Sequence, residues 1–285
     1  MRYESPTTAK AAVDLLSKEK GKAYVLAGGT DLLVRLRMDM IEPDLMVDIK
    51  NIPAMNEIKK TPSGGFKIGA AVSGAKLGAN KAIKKAWPGV VEATNLIGSD
   101  QIQGRCTMVG NLCNASPAAD SVPAMIAAGA KANIVGKKRR TVPVEDIVTG
   151  PGKTSLAKGE LIEAITLPKK APKSGDAYLR FIPRTEMDIA VVGAAVSLTL
   201  KKGVVEKARV ALGAVAATPL LVKEAADAII GTSLDDDALE ALGAACSAAC
   251  KPIDDKRGTV EYRVKVAGVL AQRAAKIAYE RAGGK

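Results

Sequence analysis

The chain opens with apolar residues at helical spacing. In "SPTTAKAAVDLLSKEKG" (5–21), Ala12, Leu15 and Leu16 share a face, Ser5 or Thr7 is placed to cap, Pro6 suits a first turn and Gly21 ends the run. "AYVLA" (23–27) is a short continuous apolar run, the pattern of a buried strand. After two glycines "DLLVRLRMDM" (31–40) returns to the helical period, and "LMVDI" (45–49) reads as the next strand. Alternation of helix and strand around a glycine turn predicts an α/β unit. "GGFKIGAAVSGAKLG" (64–78) predicts a turn and a strand, and "KAIKKAWPGVVEATNLIG" (81–98) a helix broken at Pro88. Residues 99–117 are rich in Gly, Asn, Ser and Cys without a steady period and predict an ordered loop. A helix follows over 118–132, then strands within 131–147 that turn at "GKKRR" (136–140), and another strand in "ELIEAITLP" (160–168).

The character changes after "PKKAPKSGDA" (168–177), where Pro, Lys, Ser and Gly concentrate as they do in linkers. "AYLRFI" (177–182), "AVVGAAVSLTL" (190–200) and "VVEKARVALGAV" (204–215) predict antiparallel strands. Three helical stretches follow, over 220–231, 235–250 and 259–282. Strands in a run followed by helices in a run argue for α+β.

Composition narrows the chemistry. The 285 residues are 47% hydrophobic but only 3% aromatic, so the core must be packed with Ala, Val, Ile and Leu. The length suits two domains or subdomains. No apolar stretch approaches the ~20 residues that span a bilayer. "MRYESPTTAK" has no apolar leader, so the cytoplasm is the expected location and no transmembrane segment is expected. Cys106, Cys113, Cys246 and Cys250 match no zinc or iron–sulfur spacing and are expected to be structural thiols. There is no histidine. That removes Ser-His-Asp and Cys-His catalysis and the commonest base near neutral pH, so any redox or group-transfer chemistry falls to a cofactor. The net charge of +12 raises nucleic acid as a partner. Against it, the basic residues are spread along the chain and almost no aromatics are available for base stacking. A basic face toward an acidic partner protein, or a generally soluble surface, fits better.

Two stretches carry candidate chemistry. In Ala27-Gly28-Gly29-Thr30-Asp31, glycines precede a helix whose first amides lack partners, a setting for an anionic group. The plain alternative is a tight turn capped by Asp31. Asp31 also repels a phosphate, so its side chain is expected to face the helix amides or solvent. The second stretch, residues 105–124, places Gly110-Asn111 where a left-handed turn is permitted and Ser116-Pro117 ahead of a helix with Asp120 at a capping-box position. It reads either as a polar loop before a capped helix or as a second grip on an extended cofactor.

"AGGTDLL", "TMVGNLCNASPAADSVPA", "YLRFIPRTEMDIAVVGAAV", "LGAVAATPLLVKEAADAIIG" and "EYRVKVAGVLAQRAA" together resemble the FAD-binding (medium) subunit of molybdenum hydroxylases, the relatives of xanthine dehydrogenase, carbon monoxide dehydrogenase and 4-hydroxybenzoyl-CoA reductase. The resemblance runs nearly the whole length, and the set is more specific than any one motif.

It implies an α+β chain. A two-subdomain FAD-binding domain of the vanillyl-alcohol-oxidase type spans 1–172, divided near 55/56, and a smaller α+β domain spans 173–285. It implies FAD here, with molybdopterin on a large partner subunit and [2Fe–2S] clusters on a small one, in a dimer of heterotrimers. Electrons would enter from the [2Fe–2S] partner and leave to an external acceptor.

By the same resemblance, Val25, Leu26, Ala27, Gly28, Gly29, Thr30, Asp31 and Leu32 wrap the FAD diphosphate. Thr107, Met108, Val109, Gly110 and Asn111 lie on the same cofactor. Ile97 lies against the flavin, Asp120 contacts the cofactor, Ile162 meets its adenine or ribose end, and Arg180 stands where many relatives carry a lysine near the flavin. Arg184 is a second cation near the ring, or else half of an ion pair with Asp188. Tyr178 either shields the ring or packs. No acid–base or metal-binding residue is required of this chain.

The departures are Thr30-Asp31 in place of His/Gln-Ser, Val109 where a glycine is usual, and Cys106 where Gly or Ala is usual. Val109 is expected to loosen the phosphate contact. The cysteine-ligated [4Fe–4S] insertion of the benzoyl-CoA reductase branch is missing, so no cluster is expected. Gly29 is expected to matter only through the close approach of backbone to ligand. Two other readings remain: a stand-alone FAD-dependent oxidoreductase of the same cofactor fold, and a basic nucleic-acid-binding or scaffold protein.

Overall fold

A computed structural model describes residues 1–284. The N-terminal unit runs β1 (Arg2–Glu4), α1 (Ala9–Lys18), β2 (Ala23–Leu26), α2 (Leu32–Arg37) and β3 (Leu45–Asp48), with the strands in one parallel sheet of order β1-β3-β2. β3 is the central strand and all four of its residues are buried, as a parallel strand covered on both faces requires. β1 is too short for a periodic signal and escaped the sequence reading. The first helix starts later than its pattern suggested. Its cap is Thr8, whose Oγ1 accepts from the Ala11 amide, rather than Ser5 or Thr7.

The second unit contains β4 (Ile58–Lys60), β5 (Phe66–Gly69), α3 (Gly74–Gly78), α4 (Lys81–Ala86), α5 (Pro88–Thr94), α6 (Asp100–Gln103), α7 (Met108–Asn114), α8 (Ser121–Ala127), β6 (Lys131–Val135), β7 (Arg139–Pro143), β8 (Val148–Gly150), β9 (Lys153–Thr154) and β10 (Leu161–Leu167). Five of these strands form a sheet of order β4-β5-β10-β6-β7. The break at Pro88 is real: Trp87 closes α4 and opens α5, because proline suits a first turn but not a helix interior. The loop expected over 99–117 is instead largely α6 and α7. Helices this short leave no sustained amphipathic period, and Gly110 and Asn111 lie inside α7, so the left-handed residue is Ala115 at φ 51°. Ser116 does not cap a helix. Its Oγ accepts from the Ala118 amide in the turn ahead of α8.

The last unit is a sheet of order β11-β12-β13-β14, built from β11 (Ser174–Phe181), β12 (Val192–Lys201), β13 (Val204–Gly213) and β14 (Leu220–Leu221). All its pairings are antiparallel. Helices α9 (Lys223–Asp227), α10 (Asp236–Ala249) and α11 (Val260–Arg281) complete it. The alanines of α11 from Ala267 to Ala278 are buried, the helix lies against β11 and β12, and Gly268 lets it approach α10. Side chains that small let helix and sheet approach closely, which is how a core with so few aromatics fills its volume. The opposite face of the sheet receives α8, every residue of which is buried, and α5 lies against β11.

No described helix is long and apolar enough to cross a membrane.

Candidate functional site

A cavity of about 360 Å³ opens beside the carboxyl ends of β2 and β3. In a parallel sheet this is where chain-reversing turns leave a crevice. Residues 27–32 form one wall, and Cys106, Thr107, Val109, Gly110 and Asn111 form the facing one. Ile97 and the segment from Thr154 to Ile162 close the remainder.

The two walls touch through Gly28. A Cβ there would stand 1.8 Å from the Arg105 carbonyl oxygen. This changes the meaning of the first glycine: the absent side chain makes room for protein backbone, and so sets the width of the crevice. Gly29 has φ +77°, a conformation L side chains rarely adopt. The expectation that Gly29 serves only ligand approach is therefore corrected, since a bulkier residue strains the turn itself.

The amides of Gly28, Gly29, Thr30, Asp31 and Leu32 donate to no other group among the described residues. The first intrahelical bonds come later, from Leu33 to the Gly29 carbonyl and from Arg35 to the Asp31 carbonyl. Asp31 does not cap α2 with its side chain. Partial desolvation raises its carboxyl above the ordinary value, while Arg35 one turn on pulls it down. Arg35 lines the cavity as well.

On the facing wall, Thr107 caps α7, its Oγ1 accepting from the Gly110 amide at 2.8 Å. The amides of Met108 and Val109 make no bond within the described chain. Val109 sits in the first turn of α7, a helical backbone that a β-branched residue adopts without strain. Its side chain is buried. The Asn111 Oδ1 accepts from the amide and the hydroxyl of Ser121, tying α7 to α8, while Asn111 itself lines the cavity.

Most of the residues singled out from sequence meet at this cavity. Leu26, Met108, Asp120 and Arg180 do not line it. Leu26 and Met108 are core residues. Asp120 and Arg180 form a buried ion pair at 3.1 Å, and Arg180 also donates to the Leu96 carbonyl, one residue from Ile97. Burial pushes the Asp120 carboxyl up to about 6, against the pull of Arg180 and Tyr178. Tyr178 is buried with its hydroxyl toward Asp120, so it packs. Arg184 pairs with Asp188 and is largely exposed.

Several lining residues had no signal in the sequence. Glu160 reaches the cavity just ahead of β10 and is held there by Nε and Nη2 of Arg140 and by the Ala157 amide. Thr154 and Leu156 arrive with it. Arg35 was open to inference, since it follows Asp31 by one helical turn. Cys106 and Cys113 also line the cavity, but burial raises their thiols to about 11 and about 12, so they are not nucleophiles.

Unpartnered amides from two helix starts around one crevice suit a diphosphate, which accepts several hydrogen bonds at once. The comparisons agree. Residues 1–170 match the FAD binding domain in molybdopterin dehydrogenase, and residues 177–278 match the CO dehydrogenase flavoprotein C-terminal domain. The carbon monoxide dehydrogenase medium chain of Afipia carboxidovorans is 34% identical over 281 residues, covering 98% of this chain and 97% of that one. The xanthine dehydrogenase FAD-binding subunit of Escherichia coli O157:H7 is 30% identical, covering 99% and 97%. Reconstituted CO dehydrogenase from Oligotropha carboxidovorans superposes with a TM-score of 0.94 at 33% identity, over 99% of this chain and 98% of that one. The chain belongs to the FAD-binding medium subunits of the molybdenum hydroxylases.

Proposed function

We propose that this chain carries electrons between a small [2Fe–2S] subunit and an external acceptor, within a complex whose large subunit holds molybdopterin and chooses the substrate. The observation that carries the site assignment is the set of unpartnered amides at Gly28, Gly29, Thr30, Asp31 and Leu32, facing the α7 amide of Val109 across one cavity. Bound FAD supplies the chemistry that couples one-electron to two-electron transfer.

The residues of this chain bind and orient. The 27–32 turn and the start of α7 offer donors to the diphosphate, and Arg35 adds a positive charge at the rim. Ile97 and Ile162 give the cavity apolar walls. Asp120 and Arg180 act one layer back: their pair fixes the Leu96 carbonyl and so the position of Ile97. None of these roles needs a proton relay, in keeping with a chain that has no histidine.

We further propose that the chain divides near residues 55/56 and 172/173, and that the complex is a dimer of heterotrimers. Four free thiols accord with a reducing compartment, and we assign the cytoplasm.

The test is to purify the chain with its large and small partners and reduce the complex anaerobically with the substrate of the large subunit. Bleaching of the visible flavin band after reduction of the clusters supports the relay. Clusters that reduce while a bound flavin stays oxidised would sink it.

A further inference from the structure

Lys50 lies just past the end of β3 and outside the cavity lining. Its ammonium makes two contacts: Nζ donates to Asp48 Oδ1 at 2.7 Å and to the Ala27 carbonyl at 3.2 Å. Asp48 is itself held. Its Oδ1 also accepts from the Lys50 amide, and its Oδ2 accepts from the Tyr3 hydroxyl on β1. Asp48 is buried, yet those hydrogen bonds outweigh the effect of burial and keep its carboxyl below the ordinary value. A fixed carboxylate thus anchors a lysine that grips the first residue of the glycine turn.

A planar trans peptide points its C=O and its N–H in opposite directions. With the Ala27 carbonyl turned toward Lys50, the Gly28 N–H is turned away from it, and that N–H is the first of the unpartnered amides. The ammonium is the only hydrogen-bond partner of this peptide among the described residues. Gly28 has no side chain to resist rotation about its φ, and the Ala27 carbonyl has no other donor among the described contacts.

We propose that Lys50 is a positioning residue for FAD: neutralised by Asp48, it acts through geometry, fixing the Ala27–Gly28 peptide so that the Gly28 amide faces the diphosphate. This rests on the reading of the cavity as the FAD site. The brace runs from the first strand through Asp48 and Lys50 to the turn, so the parallel sheet orients the donors before ligand arrives.

The experiment compares FAD titrations of the deflavinated full chain, followed by flavin fluorescence, with melting of the same samples without FAD. Lys50→Met keeps the apolar stem and removes the ammonium. It is expected to weaken FAD binding about tenfold, the loss of one hydrogen bond from a charged donor. Its flavin-free melting temperature should fall by no more than about 4 °C, since Asp48 loses its counter-ion but keeps the Tyr3 hydroxyl and the backbone amide of residue 50 as donors. Lys50→Arg restores a donor and should bind within about threefold of the wild type. If Lys50→Met does not fold, Lys50→Gln, which keeps a donor for Asp48 but is one bond shorter, carries the same expectation.

Wild-type affinity in Lys50→Met, or a matched fall in flavin-free stability that Lys50→Arg does not rescue, overturns the role of Lys50. A wild-type chain that takes up no FAD overturns the site assignment, and this inference with it.

Discussion

Two buried carboxylates flank the cavity in the same company and are shifted in opposite directions. Asp48 has Tyr3, Lys50 and, through Lys50, the Ala27 carbonyl. Asp120 has Tyr178, Arg180 and, through Arg180, the Leu96 carbonyl. Each cluster is a tyrosine, an aspartate and a cation reaching a backbone carbonyl at or beside the cavity wall. Yet Asp48 is held below the ordinary carboxylate value and Asp120 is pushed up to about 6.

Hydrogen-bond geometry explains the difference. Asp48 ends a strand, so its side chain folds back onto the amide two residues on, an Asx turn, and collects a backbone donor besides its two side-chain donors. Asp120 precedes α8 but makes no capping bond, and its contacts are longer, at 3.1 Å to Arg180 and 3.4 Å to Tyr178. With fewer and weaker donors, desolvation wins. A buried charge is thus decided by the sum of its donors and how close they come: at Asp48 the Lys50 ammonium and the Tyr3 hydroxyl lead and the backbone amide adds to them, whereas at Asp120 a cation and one long contact do not suffice.

The largest test of this contrast is truncation. Asp120→Ala leaves Arg180, whose side chain is only 4% exposed, without its counter-ion, and is expected to cost about 3 kcal/mol in urea unfolding. Asp48→Ala is expected to cost about half as much, about 1.5 kcal/mol, because Lys50 is 32% exposed and turns to water. Equal losses would mean that the two clusters are equivalent after all.

A smaller effect, opposite in sign at the two sites, is expected in the pH dependence of unfolding. The folded-state value of Asp48 is lowered, so its contribution is present above pH 3.8 and is lost as pH falls below it. The folded-state value of Asp120 is raised, so its contribution is fullest below pH 3.8 and is lost as pH rises through about 6. Asp48→Asn should flatten the acid limb, and Asp120→Asn the limb between pH 3.8 and about 6. Flattening of the same limb by both variants would remove the distinction.

The smallest effect separates the tyrosines. Tyr3→Phe deletes a short hydrogen bond and should cost about 1 kcal/mol, whereas Tyr178→Phe deletes a long one and should cost less than about 0.5 kcal/mol. The reverse order, read from denaturation midpoints, would show that the long contact is the stronger.

How much of this was legible beforehand depended on length and period. The long helix over 260–281 and the strands of the last sheet announced themselves because each repeats its apolar spacing several times. The glycine turn was legible because positive φ leaves few residue choices. The helices at 100–103 and 108–114 were hidden, since so few residues cannot establish a period, and glycine and asparagine inside the latter imitate a turn. Arg180 and Asp120 belonged to the expected site by resemblance, and the fold places them one layer behind the cavity, bonded to each other.

By itself the sequence determined that this chain has a strand, a glycine turn and a helix in succession, a second half of antiparallel strands and helices, and no histidine to transfer protons near neutral pH. These are consequences of local spacing and residue chemistry, which need no knowledge of distant neighbours. Only the tertiary structure decided that Gly28 spaces two walls, that Glu160 and Thr154 close the cavity, and that Lys50 faces the Ala27 carbonyl while Arg180 faces that of Leu96. Those outcomes depend on which strands pair and where their ends fall, and hydrogen-bond direction across such gaps is written nowhere in the local pattern.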